Sequence, residues 1–181
     1  YALIGILLTV PVLLISLPLH ELAHAWAAER LGDSTPRWNG RMTMNPLAHF
    51  DPLGTIAMLC FGFGWAKPVP VNRRNFKNPK KAMALVGLAG PAANLILGFI
   101  GSLLYWLLLA LSMNVQAVAS FAIQHTMLWM VIQILLSNFA EMNIFLAVFN
   151  LLPVAPLDGS RIFDFLIPDR LYNFMVKYDR V

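Results

Sequence analysis

The chain has 181 residues, 59% hydrophobic and only 12% charged, with a formal net charge of +4. Soluble domains are typically about a quarter charged, and a mean hydropathy of +0.66 leaves too little polar side chain to cover a water-soluble particle. Composition therefore excludes a soluble globule, a disordered chain, collagen and a coiled coil, and indicates one integral membrane domain over residues 1–181. The single cysteine, Cys60, allows no intrachain disulfide. The basic excess fits cytoplasm-facing loops, where Lys and Arg collect, better than a nucleic-acid surface.

The first segment, residues 2–31, is apolar up to His20 and then mildly amphipathic. At about 1.5 Å per residue a helix of this length crosses a bilayer. It has no basic leader and runs on into chemistry-bearing residues, so a spanning helix rather than a cleaved signal is expected. Pro11 and Pro18 should bend it or open its backbone ladder, and Gly32 with Asp33 and Ser34 supplies a stop. Asn39-Gly40, between Arg37-Trp38 and the alternating Arg41-Met42-Thr43-Met44, predicts a small cytoplasm-side β-hairpin. Residues 52–66 are apolar, Gly-rich and uncharged, too short to cross and suited to a re-entrant segment. Lys67–Val71 reads as an extended edge strand, followed by a basic stretch to Lys81.

A second span is predicted over residues 82–111, where Gly87, Gly90 and Pro91 permit close helix packing. From residue 117 to 152 the chain is apolar, interrupted by Ser137-Asn138 and Glu141. One straight helix over its continuous part would reach about 45 Å, well past the hydrocarbon core, so a break is expected within residues 137–143. Pro153 and Pro156 unwind the chain before Leu157-Asp158-Gly159, and residues 160–181 form a C-terminal amphipathic tail. The fold expected is an α-helical membrane protein of about three to four spans, with a re-entrant segment and a small β-hairpin or sheet.

Arg30, Arg37, Arg41, Lys67, Arg73, Arg74, Lys77, Lys80 and Lys81 fall between the first two spans. Arg161, Arg170, Lys177 and Arg180 follow the last span, and the link at 112–120 has no charge. The positive-inside rule puts residues 31–81 and the C-terminal region in the cytoplasm.

His20-Glu21-Leu22-Ala23-His24 is an HExxH sequence in a helical stretch. A spacing of four sets both imidazoles on one helical face, able to share a tetrahedral Zn²⁺, and places Glu21 to take a proton from water. Chance could produce the pattern, but two histidines and a glutamate inside a span each cost about 2–3 kcal/mol or more when unpaired, and a dication offsets that cost. Catalytic zinc takes three protein ligands. The candidates for the third are His49, His125, Asp51, Asp158, Glu141 and Glu29. Asp158 is best placed, on a segment unwound by prolines, yet its spacing also suits an N-cap of the following helix. Asp51 and His49 read as turn and hydrogen-bonding residues, and His125 and Glu141 as structural.

These residues, with Gly90-Pro91-Ala92-Ala93-Asn94 and Asn150-Leu151-Leu152-Pro153-Val154-Ala155-Pro156-Leu157-Asp158-Gly159 in that order, resemble the site-2 protease family of intramembrane zinc metalloproteases. The likeness is to the small prokaryotic type without PDZ or nucleotide-sensing domains. It implies one Zn²⁺ held by His20, His24 and Asp158, with Glu21 as catalytic acid/base. It also implies that Asn94 and Asn150 line the site, where an amide can hold a substrate carbonyl; tying helices together is the ordinary duty of such asparagines. The implied partners are the lipid bilayer and a transmembrane protein substrate, such as a membrane-bound transcription regulator or anti-sigma factor. The implied location is a prokaryotic plasma membrane, with the metal about 13 Å inside the cytoplasmic face by helix rise. An extended substrate could pair with the edge at Lys67–Val71 or Arg41–Met44. The rival reading is a zinc-binding membrane protein without proteolysis, a metal carrier or inactive scaffold; an intact Glu21 and the lack of a repeated ligand path weigh against it.

Overall fold

The computed structural model describes residues 2–54, 57 and 67–168. Its helices are α1 (Ala2–Arg30), α2 (Thr35–Trp38), α3 (Pro79–Asn114), α4 (Gln116–Gln124), α5 (Thr126–Asn150) and α6 (Asp158–Leu166), with 3-10 turns at Pro46–Ala48 and Arg73–Asn75. Three stretches are long and apolar enough to cross a bilayer: Leu8–Arg30, Pro79–Asn114 and Thr126–Asn150. This is a helical membrane protein.

The bundle is organised around α3, which packs against α1, α5 and α6, while α1 also touches α5. Its start is marked chemically: Asn78 Oδ1 accepts the Lys81 N–H at 3.2 Å, and Pro79 occupies the first turn, where its missing N–H costs nothing. The outward face is apolar, with Ile96, Phe99 and Trp106 each more than half exposed, as suits a surface facing lipid. At the opposite face Ala28, Phe76, Ala82, Met83 and Val86 form a buried cluster that clamps the end of α1 to the beginning of α3.

Helix α1 runs unbroken through Pro11 and Pro18, the latter fully buried. The interruption expected within residues 137–143 is absent: α5 is continuous there, and the break falls earlier, at His125 between α4 and α5. Two polar side chains in that stretch are satisfied without unwinding it. Ser137 Oγ donates to Ile134 O, and the Asn143 side chain bonds across the bundle.

The β-hairpin is not found: no sheet is present among the described residues. A two-residue hairpin of the Asn-Gly type needs positive φ at both residues, whereas Asn39 has φ −90° and only Gly40 is positive, at +66°. The pair instead ends α2. The Gly40 N–H bonds Arg37 O and the Arg41 N–H bonds Pro36 O, the two reversed bonds of a Schellman cap. Gly32, at φ +111°, closes α1 the same way, with Gly32 N–H on Glu29 O and Asp33 N–H on Ala28 O. The alternation after Gly40 buries the arginine rather than the methionines: Arg41 is 4% exposed, and its Nη1 donates to the carbonyls of Ala48 and Lys67. The Arg41–Met44 edge is therefore a loop. Lys67 N–H reaches His49 O at 2.8 Å, and residues 67–72 take no regular secondary structure.

Residues 52–54 begin a helical turn; most of the proposed re-entrant segment, and the tail beyond residue 168, lie outside the described residues. The loop from α1 to α3 is tied down by Asp33, which is fully buried. Its Oδ1 accepts from the Thr35 N–H (3.1 Å), the Thr35 hydroxyl (2.5 Å) and Asn75 Nδ2 (2.6 Å), and its Oδ2 from the Asn72 N–H (2.7 Å). Burial alone would raise this carboxyl. The donors from Thr35, Asn72 and Asn75 outweigh it and hold Asp33 below the ordinary carboxylate range.

Candidate metal centre

The four-residue spacing in α1 brings the His20 and His24 rings into edge contact, with centroids 4.6 Å apart. Facing them is Asp158, the first residue of α6. Leu157, not Asp158, occupies the N-cap, and no side-chain cap bond forms there. The Asp158 carboxylate turns to the histidines instead. His20 Nε2 and His24 Nε2 are 3.0 Å apart, and Asp158 Oδ2 is 3.2 Å from the first and 3.0 Å from the second. All three residues are buried, at 5%, 4% and 8% exposure.

The protonation of the two rings follows from their other nitrogens. His24 Nδ1 donates to Val86 O at 2.6 Å, a backbone carbonyl that can only accept. His20 Nδ1 donates to Asn94 Oδ1 at 2.5 Å. In the neutral form each imidazole thus carries its proton on Nδ1 and presents a bare Nε2 lone pair inward, the arrangement that metal-ligating histidines adopt. Two nitrogen lone pairs and a carboxylate oxygen at this separation repel unless a proton or a metal cation lies between them. A tetrahedral ion with bonds near 2.0–2.1 Å spaces its ligand atoms by about 3.3 Å, so the donors His20, His24 and Asp158 fit one divalent ion.

The space for such an ion is kept by α3. A Cβ built on Gly90 would lie 2.3 Å from His24 Nε2 and 2.6 Å from His20 Cε1. Bare backbone therefore faces the donors. On the outer side Arg161 Nη1 stands 3.9 Å from Asp158 Oδ1, the oxygen turned away from the rings.

The other expected site residues distribute differently. Glu21 is buried beside His20, at 9% exposure. Asn94 is fully buried, its amide engaged by His20 and, through Nδ2, by Asn143 Oδ1 at 2.7 Å. Asn150 Nδ2 donates to Leu146 O at 2.9 Å along its own helix. Of the remaining third-ligand candidates none joins the histidine pair among the described residues. His49 is fully buried with Nε2 on Thr43 O, Asp51 Oδ1 accepts the Gly54 N–H, Glu29 pairs with Arg37 at 2.6 Å, and His125 packs on Phe121. Val86, whose carbonyl orients a ring, and Asn143 escaped the sequence reading. The one available signal for Asn143 was an amide in an apolar span, which also reads as a helix break.

A bundle of apolar helices that buries an HExxH pair against a distant carboxylate defines a membrane metallopeptidase. The chain matches the family model "Peptidase family M50" over residues 8–177 and belongs to that family of metalloproteases. It is 47% identical over 157 residues to YwhC of Bacillus subtilis (strain 168), covering 86% of this chain and 67% of that protein. Rip2 of Mycolicibacterium smegmatis is 31% identical over 151 residues, and Rip2 of Mycobacterium tuberculosis (strain H37Rv) 29% over 150. Each of these matches covers 81% of this chain but 52% of the relative, so the chain spans about half the length of the Rip2 proteins. All three relatives carry zinc metalloprotease in their names. No solved structure matches.

Proposed function

We propose that the chain hydrolyses peptide bonds in or near the transmembrane segments of other membrane proteins, as an intramembrane zinc protease. In this reading His20, His24 and Asp158 hold the ion and Glu21 is the general acid/base. The observation that carries it is the convergence of three buried donor atoms within 3.0–3.2 Å of one another, on a helix that also bears Glu21.

Zinc, when bound, supplies a Lewis acid that brings the pKa of water towards 7 and polarises a carbonyl. The Glu21 carboxylate takes the proton from the attacking water and returns it to the leaving amide nitrogen, a role worth about 10²–10⁴-fold in rate. Asn94 acts from behind His20. Asn150 keeps its carbonyl oxygen and a second N–H for the bound peptide. Burial of the donors keeps bulk water from competing, and a substrate helix, whose amides are spent on its own hydrogen bonds, unwinds to be cut.

The basic loop between α1 and α3 and the basic tail face the cytoplasm of a prokaryotic plasma membrane by the positive-inside rule, and three spans satisfy that parity. The substrate class is a single-span regulator, such as a membrane-bound transcription factor or anti-sigma factor, released by regulated proteolysis. The test is Glu21→Gln assayed on a reporter transmembrane substrate in proteoliposomes. Zinc content stays at one per chain while cleavage falls by about 10²–10⁴-fold. Cleavage at the wild-type rate refutes the role of Glu21, and a wild-type chain that holds zinc but cuts nothing favours the carrier or scaffold.

A further inference from the structure

Behind His20 lies a chain of buried polar groups that crosses all three spans. His20 Nδ1 meets Asn94 Oδ1 at 2.5 Å, Asn94 Nδ2 meets Asn143 Oδ1 at 2.7 Å, and Asn143 Nδ2 meets both Ser16 Oγ and Phe139 O at 2.8 Å. Ser16, Asn94 and Asn143 are fully buried. An unpaired polar group at such depth is costly, so the members match donor to acceptor.

The direction of the chain is decided at one end. A hydroxyl such as Ser16 donates or accepts and imposes no sense. The Phe139 carbonyl can only accept, so the Asn143 amide must turn its NH₂ towards it. That leaves Asn143 Oδ1 facing Asn94, which must answer with its own NH₂. Asn94 Oδ1 is then left for His20, and the ring must donate from Nδ1. In the neutral ring Nε2 is bare as a consequence.

We propose that Asn143 is a positioning residue for the metal centre: it transmits the acceptor-only character of the Phe139 carbonyl through Asn94 and thereby sets the tautomer in which His20 offers Nε2 to the ion. The inference rests on the reading of His20 as a zinc ligand and deepens it. Asn143 touches neither the ion nor the substrate.

Two substitutions separate this role from simple packing. Asn143→Leu removes the sense of the chain, so Asn94 can turn either way. Asn143→Asp, protonated in the apolar core, gives its O–H to the acceptor-only Phe139 carbonyl, leaves an accepting oxygen towards Asn94, and so keeps the sense. The full-length chain in nanodiscs, labelled with ¹⁵N-histidine and stripped of metal, reports the His20 tautomer by NMR; competition with a chelator reports zinc affinity.

The wild-type and Asn143→Asp chains should show His20 protonated on Nδ1, and Asn143→Leu should populate both tautomers and bind zinc about 10–100-fold more weakly, the usual loss for an outer partner of a ligand. A purely structural role predicts the opposite ranking, because a buried carboxyl in a membrane core disturbs packing more than leucine does. Asn143→Leu with the wild-type tautomer and affinity overturns the proposal, and that variant alone decides if the aspartate chain does not accumulate. A wild-type chain that retains no zinc overturns the metal reading instead, while the tautomer comparison still judges Asn143.

Discussion

A first side-chain carbon at Gly90 would stand 2.3 Å from His24 Nε2, a separation that non-bonded atoms do not tolerate. Glycine is thus required on α3 for a reason other than backbone freedom: a methyl there competes for the space an ion would use. Gly90→Ala should retain the helical spectrum and lose zinc, with affinity down by more than about 100-fold, beyond what outer-partner losses alone produce. Overpacking should also destabilise it by about 1–3 kcal/mol. Elemental analysis and chelator competition check this, and an alanine variant binding one zinc at full affinity refutes it.

Asp158 supplies the one anionic donor of the group. Zinc at about 100 times its Kd should stabilise the wild-type chain by about 2.7 kcal/mol, seen as a rise in Tm, and chelation should reverse it. Asp158→Ala should abolish that rise. An undiminished thermal response would mean that another carboxylate completes the site.

The Asp33 clamp predicts an acid dependence. Because its pKa is lowered on folding, its contribution is fully present above the ordinary value of 3.8 and is lost as pH falls through the lower value held in the fold. Charge-assisted hydrogen bonds are worth about 1.5–3 kcal/mol each, so Asp33→Asn should cost about 2–3 kcal/mol at pH 7. The gap in Tm between wild type and variant should narrow as pH drops from 5 towards 2.5. A gap that widens towards acid contradicts the assignment.

The two Schellman glycines should respond unequally. Gly40, at φ +66° with nothing within 4 Å of a Cβ, occupies the ordinary left-handed region, where asparagine is at home. Gly40→Asn should change stability by less than about 0.5 kcal/mol, within the range of surface substitutions. Gly32, at φ +111°, lies beyond that region, and Gly32→Ala should cost about 1–2 kcal/mol or more. Equal Tm shifts in the two variants refute the distinction.

Local periodicity carried part of this molecule into its sequence. The His20–His24 pair is legible because one helical turn separates the residues, and the three spans because apolar length is additive along a chain. Asp158 is different: its proline-unwound segment makes it the best-placed third donor, but its spacing suits an N-cap as well as a ligand, and only the resemblance decides between the two. The hairpin was misread because Asn-Gly serves a left-handed helix cap as readily as a type I′ turn, and φ at Asn39 decides between them. The break assigned to residues 137–143 failed for a related reason. A polar residue in an apolar helix unwinds it only if its side chain finds no partner with the helix intact. Here Asn143 is held by Asn94 and Ser16 on other helices and by the Phe139 carbonyl of its own unbroken turn, and no one-dimensional pattern records the first two.

His20 and Asp158 are separated by 138 positions along the polypeptide. Synthesis proceeds from the N-terminus, so a nascent chain has both imidazoles in place long before the carboxylate leaves the ribosome. On the proposed reading, such an intermediate is hydrolytically silent, and the neighbouring helices emerging from the same translocon are safe from it until α6 docks.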